Sequence, residues 1–313
     1  MDKGIDISII IPVLNEEGSL VELHSKLKDV MDKLENNYEI IFVDDGSTDN
    51  SFDILKEIHS KDSKVKIIKF RKNFGQSAAM KCGFDHANES IIVTMDSDLQ
   101  NDPEDIPKLL RKINEGFDVV SGWRINRKDT ITKKIPSKIS NFLVRRLTGV
   151  NIHDSGCTLK AYRKEVLEDI EFYGEMHRYI PVLVAWKGFR ITEVEVNHKP
   201  RKYGKTKYNW RRLVKGMLDL ILMTFWQKYS QRPIHIFGGL GIILITLGIL
   251  ESIYSIYLKL FYGIDLSDHF LAVASFLSVI LGVQFLISGI LTDVCIKNYY
   301  KNRGIYNIEM VVE

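Results

Sequence analysis

Val93-Thr94-Met95-Asp96-Ser97-Asp98-Leu99-Gln100 is the stretch from which the rest of the chain can be understood. The apolar run 91–95 reads as a buried strand, and it leads directly into two carboxylates two residues apart and then a carboxamide. On extended backbone this spacing places Asp96, Asp98 and Gln100 on one side of the strand end. Three oxygen donors with no histidine or cysteine among them suit a hard divalent cation, Mg2+ or Mn2+, whose open positions phosphate oxygens fill. The same residues could form an Asp-rich turn ahead of the helix that begins near Pro103. The surrounding sequence decides between the two.

Upstream, residues 5–13 form a short apolar run that is broken at Pro12 and has no basic segment before it, so a buried strand is expected there and not a signal peptide. Strands are also expected at 38–43, 65–70 and 118–121. They alternate with helices at 17–34, 51–59, 76–87 and 103–115. In the first helix Leu20, Leu23, Leu27, Val30, Met31 and Leu34 share one face. Apolar strands separated by helices predict an α/β fold, a mostly parallel sheet covered on both faces. Such sheets bind ligands outside the carboxyl ends of their strands. Those ends carry the polar loops Leu14-Asn15-Glu16, Asp44-Asp45-Gly46-Ser47, Asn73-Phe74-Gly75-Gln76 and the Asp96/Asp98 pair. Neither the glycine fingerprint of dinucleotide enzymes nor a Walker loop is present, so a diphosphate here would be held by metal and basic side chains.

The composition, 45% hydrophobic and 27% charged, averages over two different parts. Charges are mixed as far as Gln231 and become sparse between Ile234 and Ile296. A net charge of +3 is too small to argue for nucleic acid. The three cysteines have no C-x-x-C spacing and suggest neither disulfides nor a zinc site. Segments 234–258 and 270–290 are each long enough to cross about 30 Å of hydrocarbon. Glu251 is costly in such a span unless it lies near the far interface or is paired. The connector 262–269 has Asp265 and Asp268 but no Lys or Arg, whereas Lys228, Arg232, Lys297, Lys301 and Arg303 lie on the other side. The positive-inside rule then places the catalytic part and both termini in the cytoplasm of a multi-pass cell-membrane protein. Segment 213–229 carries an apolar face (Leu213, Met217, Leu220, Ile221, Phe225) between Trp210 and Trp226, which suits a helix lying in a membrane interface.

Three further groups stand out. Arg124 leaves the fifth strand beside the proposed cation site, and Arg127 follows it. Asp154, ahead of a short strand at 158–162, is the candidate catalytic carboxylate outside the cation site. Arg201, Lys205 and Lys207 are the basic residues nearest the interfacial helix, and Gly204 would let the backbone turn close to a bound phosphate.

The stretches Ile9-Ile10-Ile11-Pro12-Val13-Leu14-Asn15-Glu16, Val43-Asp44-Asp45-Gly46-Ser47-Thr48-Asp49 and Met95-Asp96-Ser97-Asp98-Leu99-Gln100 resemble glycosyltransferase family 2. So do Ser121-Gly122-Trp123-Arg124, Asp154-Ser155-Gly156-Cys157 and Arg201-x-x-Gly204-x-Thr206-Lys207-Tyr208. Within the family the match is to the polyprenyl-phosphate glycosyltransferases, the group that includes dolichyl-phosphate mannose synthases and bactoprenol glucosyltransferases. The resemblance implies a GT-A fold and an inverting, metal-dependent transfer of one sugar from a nucleotide-diphosphate sugar to a polyprenyl phosphate. A UDP-sugar is favoured as donor, with GDP-mannose the alternative. It implies that Pro12, Leu14, Glu16, Asp44, Asp45, Gln76, Asp96 and Ser97 bind the donor, that Asp96, Asp98 and Gln100 hold the metal, that Arg124 contacts phosphate, and that Arg127, Arg201, Lys205 and Lys207 meet the acceptor phosphate. The organisation expected is a GT-A domain at 1–207, an interfacial helix at 208–232, two transmembrane helices within 233–296 and a tail at 297–313. A homo-oligomer is left open. A processive polysaccharide synthase is disfavoured, because Gln-x-x-Arg-Trp is absent and two spans make a poor channel. A non-catalytic nucleotide-binding scaffold is disfavoured by the intact carboxylates.

Overall fold

Runs rich in Ile and Val form the centre of the sheet because β-branched side chains pack well on a pleated surface buried on both sides. They are β1 (Ile7–Val13), β2 (Tyr38–Asp44), β3 (Val65–Lys69) and β4 (Ile91–Thr94), interleaved with α1 (Leu20–Lys33), α2 (Ser51–Lys61) and α3 (Gln76–His86). The computed structural model describes residues 6–34, 36–125, 131–168, 170, 174, 176–203, 210–229, 232–265 and 270–300. They fall into two compact units, the first ending at Ile221 and the second beginning at Leu222.

In the first unit the chain continues through α4 (Ile106–Asn114), β5 (Val119–Trp123), α5 (Ile131–Thr148), β6 (Lys160–Arg163), α6 (Lys164–Glu168), α7 (Ile180–Trp186) and β7 (Ile191–Glu195). The seven strands lie in the order β3-β2-β1-β4-β6-β5-β7. Pairings β1–β2, β1–β4, β2–β3 and β5–β7 are parallel. β6 runs antiparallel to both β4 and β5. The sheet is thus mostly parallel, as the alternation predicts, with one reversed strand that a four-residue segment gave no means of orienting. β7 was not anticipated: its sequence Ile-Thr-Glu-Val-Glu carries two charges and it is only half-buried.

The chain leaves β1 toward β2 and β3, then returns to place β4 on the other side of β1. A crevice opens at such a reversal, outside the carboxyl ends of the two strands. One sheet face is sealed by Leu20, Leu23, Leu27 and Met31 of α1 and Ile106, Leu109 and Ile113 of α4, packed with Ile7, Ile9, Ile11 and Val13 of β1. Each of these side chains contributes about 1.5–3 kcal/mol by leaving water. The other face carries α3, which approaches β1 so closely that a methyl group on Gly83 would meet Ile10 Cγ2 at 2.3 Å.

The second unit contains α9 (Ile234–Tyr262) and α10 (Phe270–Tyr300), both longer than the expected spans and both long and apolar enough to cross a membrane. They meet along a seam of small residues. A Cβ on Gly241 would lie 2.7 Å from Gly282 O, and one on Gly248 would lie 2.7 Å from Ser275 O. The bulky side chains, among them Ile242, Ile253, Phe276 and Leu291, are exposed. Glu251 is paired inside the hairpin, accepting from Ser278 Oγ at 3.4 Å. A helix α8 (Trp210–Tyr229) spans the interfacial segment. Of its expected apolar face, Leu220 is buried whereas Met217 and Ile221 are exposed.

Candidate active site

The loop after β4 does not continue the strand. β4 stops at Thr94, and Leu99 adopts φ 61°, left-handed backbone that a branched side chain disfavours. Asn15, at the end of β1, has φ 51°. They are the only non-glycine residues with positive φ among the described residues. Strain of this kind collects where a loop must present functional groups. The extended geometry expected through Gln100 is therefore replaced by a turn. Asp98 Oδ1 accepts from Gln100 N at 3.1 Å, and the Gln100 amide donates to Lys199 O at 3.4 Å.

Asp96 is held on both oxygens, by Gln76 Nε2 at 2.9 Å and by Thr158 Oγ1 at 2.7 Å. Burial, and then the neighbouring Asp98, push its pKa up to about 6. Ser97 is buried between the two carboxylates. Asp98 Oδ2 lies 2.9 Å from an Arg201 guanidinium nitrogen, which is also 3.1 Å from Glu16 Oε1. Sequence order had put Arg201 with the membrane-proximal cations and away from the carboxylates; the fold brings it onto them. The donor set is all oxygen, Asp96 and Asp98 with the Gln100 amide, and this chemistry fits a hard divalent cation. A guanidinium already seated against Asp98 and Glu16 shows that the spot accommodates positive charge. No cluster of three or more His, Cys, Asp or Glu side chains poised for a metal occurs among the described residues. A cation here would therefore depend on the amide and on ligand oxygens.

At the end of β2 the adjacent aspartates divide their work. Asp45 accepts from Phe74 N at 2.7 Å and Gly75 N at 2.9 Å, clamping the turn that starts α3 and delivers Gln76. Asp44 Oδ1 accepts from Ser47 N at 2.9 Å, while its buried Oδ2 has no partner among the described residues. Gly46, at φ +73°, lets this loop pass against Lys72, whose carbonyl carbon a Cβ there would meet at 2.5 Å. Pro12 lies near the end of β1 and Leu14 just beyond it. His177 is buried and supports the same region: Ser77 Oγ, one residue beyond Gln76, donates to Gly174 O at 2.7 Å and accepts from His177 Nδ1 at 2.7 Å.

Arg124 and Asp154 face each other. The guanidinium donates from Nε at 2.7 Å and from a terminal nitrogen at 2.9 Å to the two carboxylate oxygens, a bidentate pair in which Asp154 is buried and Arg124 mostly so. Burial acts against the Arg124 charge, but Asp154 more than offsets it and raises the pKa above its ordinary value. Asp154 thus spends its carboxylate on Arg124 and is not a free general base in this state. Two residues of this region escaped the sequence reading. Glu193 on β7 accepts from His153 N, His153 Nδ1 and Asp154 N at 2.8–3.1 Å, fixing the backbone that carries Asp154. Lys160 is buried beneath the loop and donates to the carbonyls of Ser155 and Cys157. Alternation in a short charged segment reads as a solvent face, so neither had a distinguishing signal. Arg127, Lys205 and Lys207 lie outside the described residues.

Residues 8–171 match the family model described as glycosyl transferase family 2. The chain belongs to that family. Full-length relatives of this family-2 chain carry more specific names. It is 37% identical over 305 residues to the dodecaprenyl-phosphate galacturonate synthase of Rhizobium johnstonii, covering 96% of this chain and 90% of that protein. It is 38% identical over 295 residues to the undecaprenyl-phosphate 4-deoxy-4-formamido-L-arabinose transferase of Shewanella sediminis, covering 93% and 88%. Among solved structures, glucosyl-3-phosphoglycerate synthase of Mycobacterium tuberculosis, in complex with Mn2+, UDP and phosphoglyceric acid, superposes with a TM-score of 0.55 at 19% identity, over 72% of this chain and 78% of that one. That likeness establishes the GT-A fold.

Proposed function

We propose that this family-2 enzyme transfers one sugar from a nucleotide-diphosphate sugar to a polyprenyl phosphate at the cytoplasmic face of a membrane. The observation that carries the reading is the meeting of Glu16, Gln76, Asp96 and Asp98 at the β1/β4 crevice in a chain whose full-length relatives are named for polyprenyl-phosphate products. Asp96, Asp98 and Gln100 would hold Mg2+ or Mn2+, and a bound ion supplies Lewis-acid stabilisation of the charge that develops on the departing diphosphate. Gln76 and Thr158 keep the Asp96 carboxylate oriented for that task. The acceptor needs little deprotonation. A phosphomonoester has its second pKa near ~6 and is mostly dianionic at neutral pH. Its needs are orientation and charge neutralisation, to which Arg124 contributes: Asp154 engages part of its fork and leaves further N–H donors for phosphate. Asp154 acts in this scheme by positioning Arg124, and Glu193 by fixing Asp154.

The test is to incubate the purified full-length protein with a panel of UDP- and GDP-sugars and a short polyprenyl phosphate, reading products by mass spectrometry. One sugar added to the lipid phosphate is expected. Polymer, or turnover only without lipid, overturns the reading. Orientation is tested separately by cysteine labelling in a background lacking the native cysteines. Asp265→Cys should react with an impermeant reagent from outside the cell and Lys297→Cys should not, and the reverse pattern would overturn the cytoplasmic placement.

A further inference from the structure

Arg201 reaches the carboxylates from far along the chain, and its approach is built into the backbone. The segment after β7 runs beside the β4 loop: Asn101 and His198 form an antiparallel bridge, and Lys199 N donates to Gln100 O at 2.9 Å. Lys199 Nζ pairs with Asp102 at 2.5 Å. Two residues beyond Arg201, Tyr203 packs on Gly18, where a Cβ would meet its ring at 3.2 Å, and Lys202 pairs with Glu22 at 2.7 Å. Between these two anchorages the guanidinium is set between Glu16 Oε1 and Asp98 Oδ2, at 3.1 and 2.9 Å. One of these oxygens belongs to a residue assigned above to the divalent cation.

A guanidinium and a divalent ion held by the same carboxylate repel each other strongly at such short range, so one weakens the hold of the other. We propose that Arg201 is the resting counter-cation of the Glu16–Asp98 pair and that the divalent ion enters by displacing it, so that metal binding frees the guanidinium for the donor diphosphate. The inference rests on the metal assignment given above. It carries a sign that a simple substrate-binding role lacks. An arginine that only binds phosphate leaves metal affinity unchanged when removed, whereas a competing arginine weakens metal binding while present. A site free of the competitor for only a tenth of the time has an apparent Kd raised about tenfold.

The experiment is a Mn2+ titration of the full-length protein without nucleotide, followed by electron paramagnetic resonance of the free ion. Arg201→Met is expected to bind Mn2+ roughly tenfold more tightly than the unaltered protein. Arg201→Lys, which keeps the charge but lacks the fork that spans two carboxylates, should fall between them and serves alone if the methionine variant does not fold. Equal or weaker Mn2+ binding by the variant overturns the exchange. If none of the three proteins binds Mn2+ while all bind nucleotide, the metal assignment fails and the exchange with it.

Discussion

Asp98→Asn is expected to lose transfer by roughly a hundred- to a thousandfold, the usual cost of removing one preorganised group that stabilises developing charge. The asparagine keeps the size of the side chain and an oxygen that can still accept from Gln100 N, the contact that shapes the turn. Circular dichroism should match the unaltered protein, and the melting midpoint should fall only modestly, because Arg201 keeps Glu16 as a counter-charge. EDTA should silence the unaltered enzyme to a similar degree, and Mg2+ or Mn2+ should restore it but not rescue Asp98→Asn. Full activity in chelator, or a variant as fast as its parent, would remove the metal from the mechanism.

The second large effect concerns the Arg124–Asp154 pair. Removing one member of a buried ion pair leaves the other charge uncompensated and costs about 3–5 kcal/mol. In a domain of this size that corresponds to a fall in the melting midpoint on the order of 10 °C. Asp154→Ala should thus be both unstable and inactive, which alone would not separate the two roles. The double replacement Arg124→Met with Asp154→Leu does separate them, since apolar substitution of a whole buried pair is often neutral. It should regain most of the melting temperature and none of the turnover. A double variant that transfers sugar at the original rate would reduce the pair to a structural strut.

The contrast between these two sites shows what a linear reading of the sequence can reach. Asp96 and Asp98 were legible because strand, motif and loop are contiguous, and Ile91 to Thr94 is β-branched and buried throughout. The turn at Leu99 was not, because nothing in a leucine announces left-handed backbone. Asp154 and Arg124 were each visible as a charged residue at a strand end, but their union depends on β6 running backwards, which four residues do not encode. Arg201 was assigned by its neighbours in sequence. Its contact lies 103 residues away on Asp98 and requires β7, whose two glutamates hid it among polar segments. Asp45, one of the residues expected to bind the donor, gives both oxygens to backbone N–H groups, a use visible only in three dimensions. The membrane-length helices were plain because apolar length is a one-dimensional property.

The reversed strand also bears on how enzymes of this kind can diversify. The strands β3, β2, β1 and β4 are all supplied by the chain before Asp96, and β6, β5 and β7 by the chain after it. Because β6 is antiparallel, the Asp154 loop arrives at the end of β4, where Thr158 accepts from Thr94 and donates to Asp96. On the proposed reading, the two substrates are recognised largely by successive lengths of polypeptide, joined through the β4–β6 ladder, the Thr158–Asp96 bond and the Arg201 contacts. Recombination near residue 101 could then exchange most of the acceptor half, and a lineage could alter the recipient of its sugar while keeping its donor site, provided the incoming segment still set an arginine against Glu16 and Asp98.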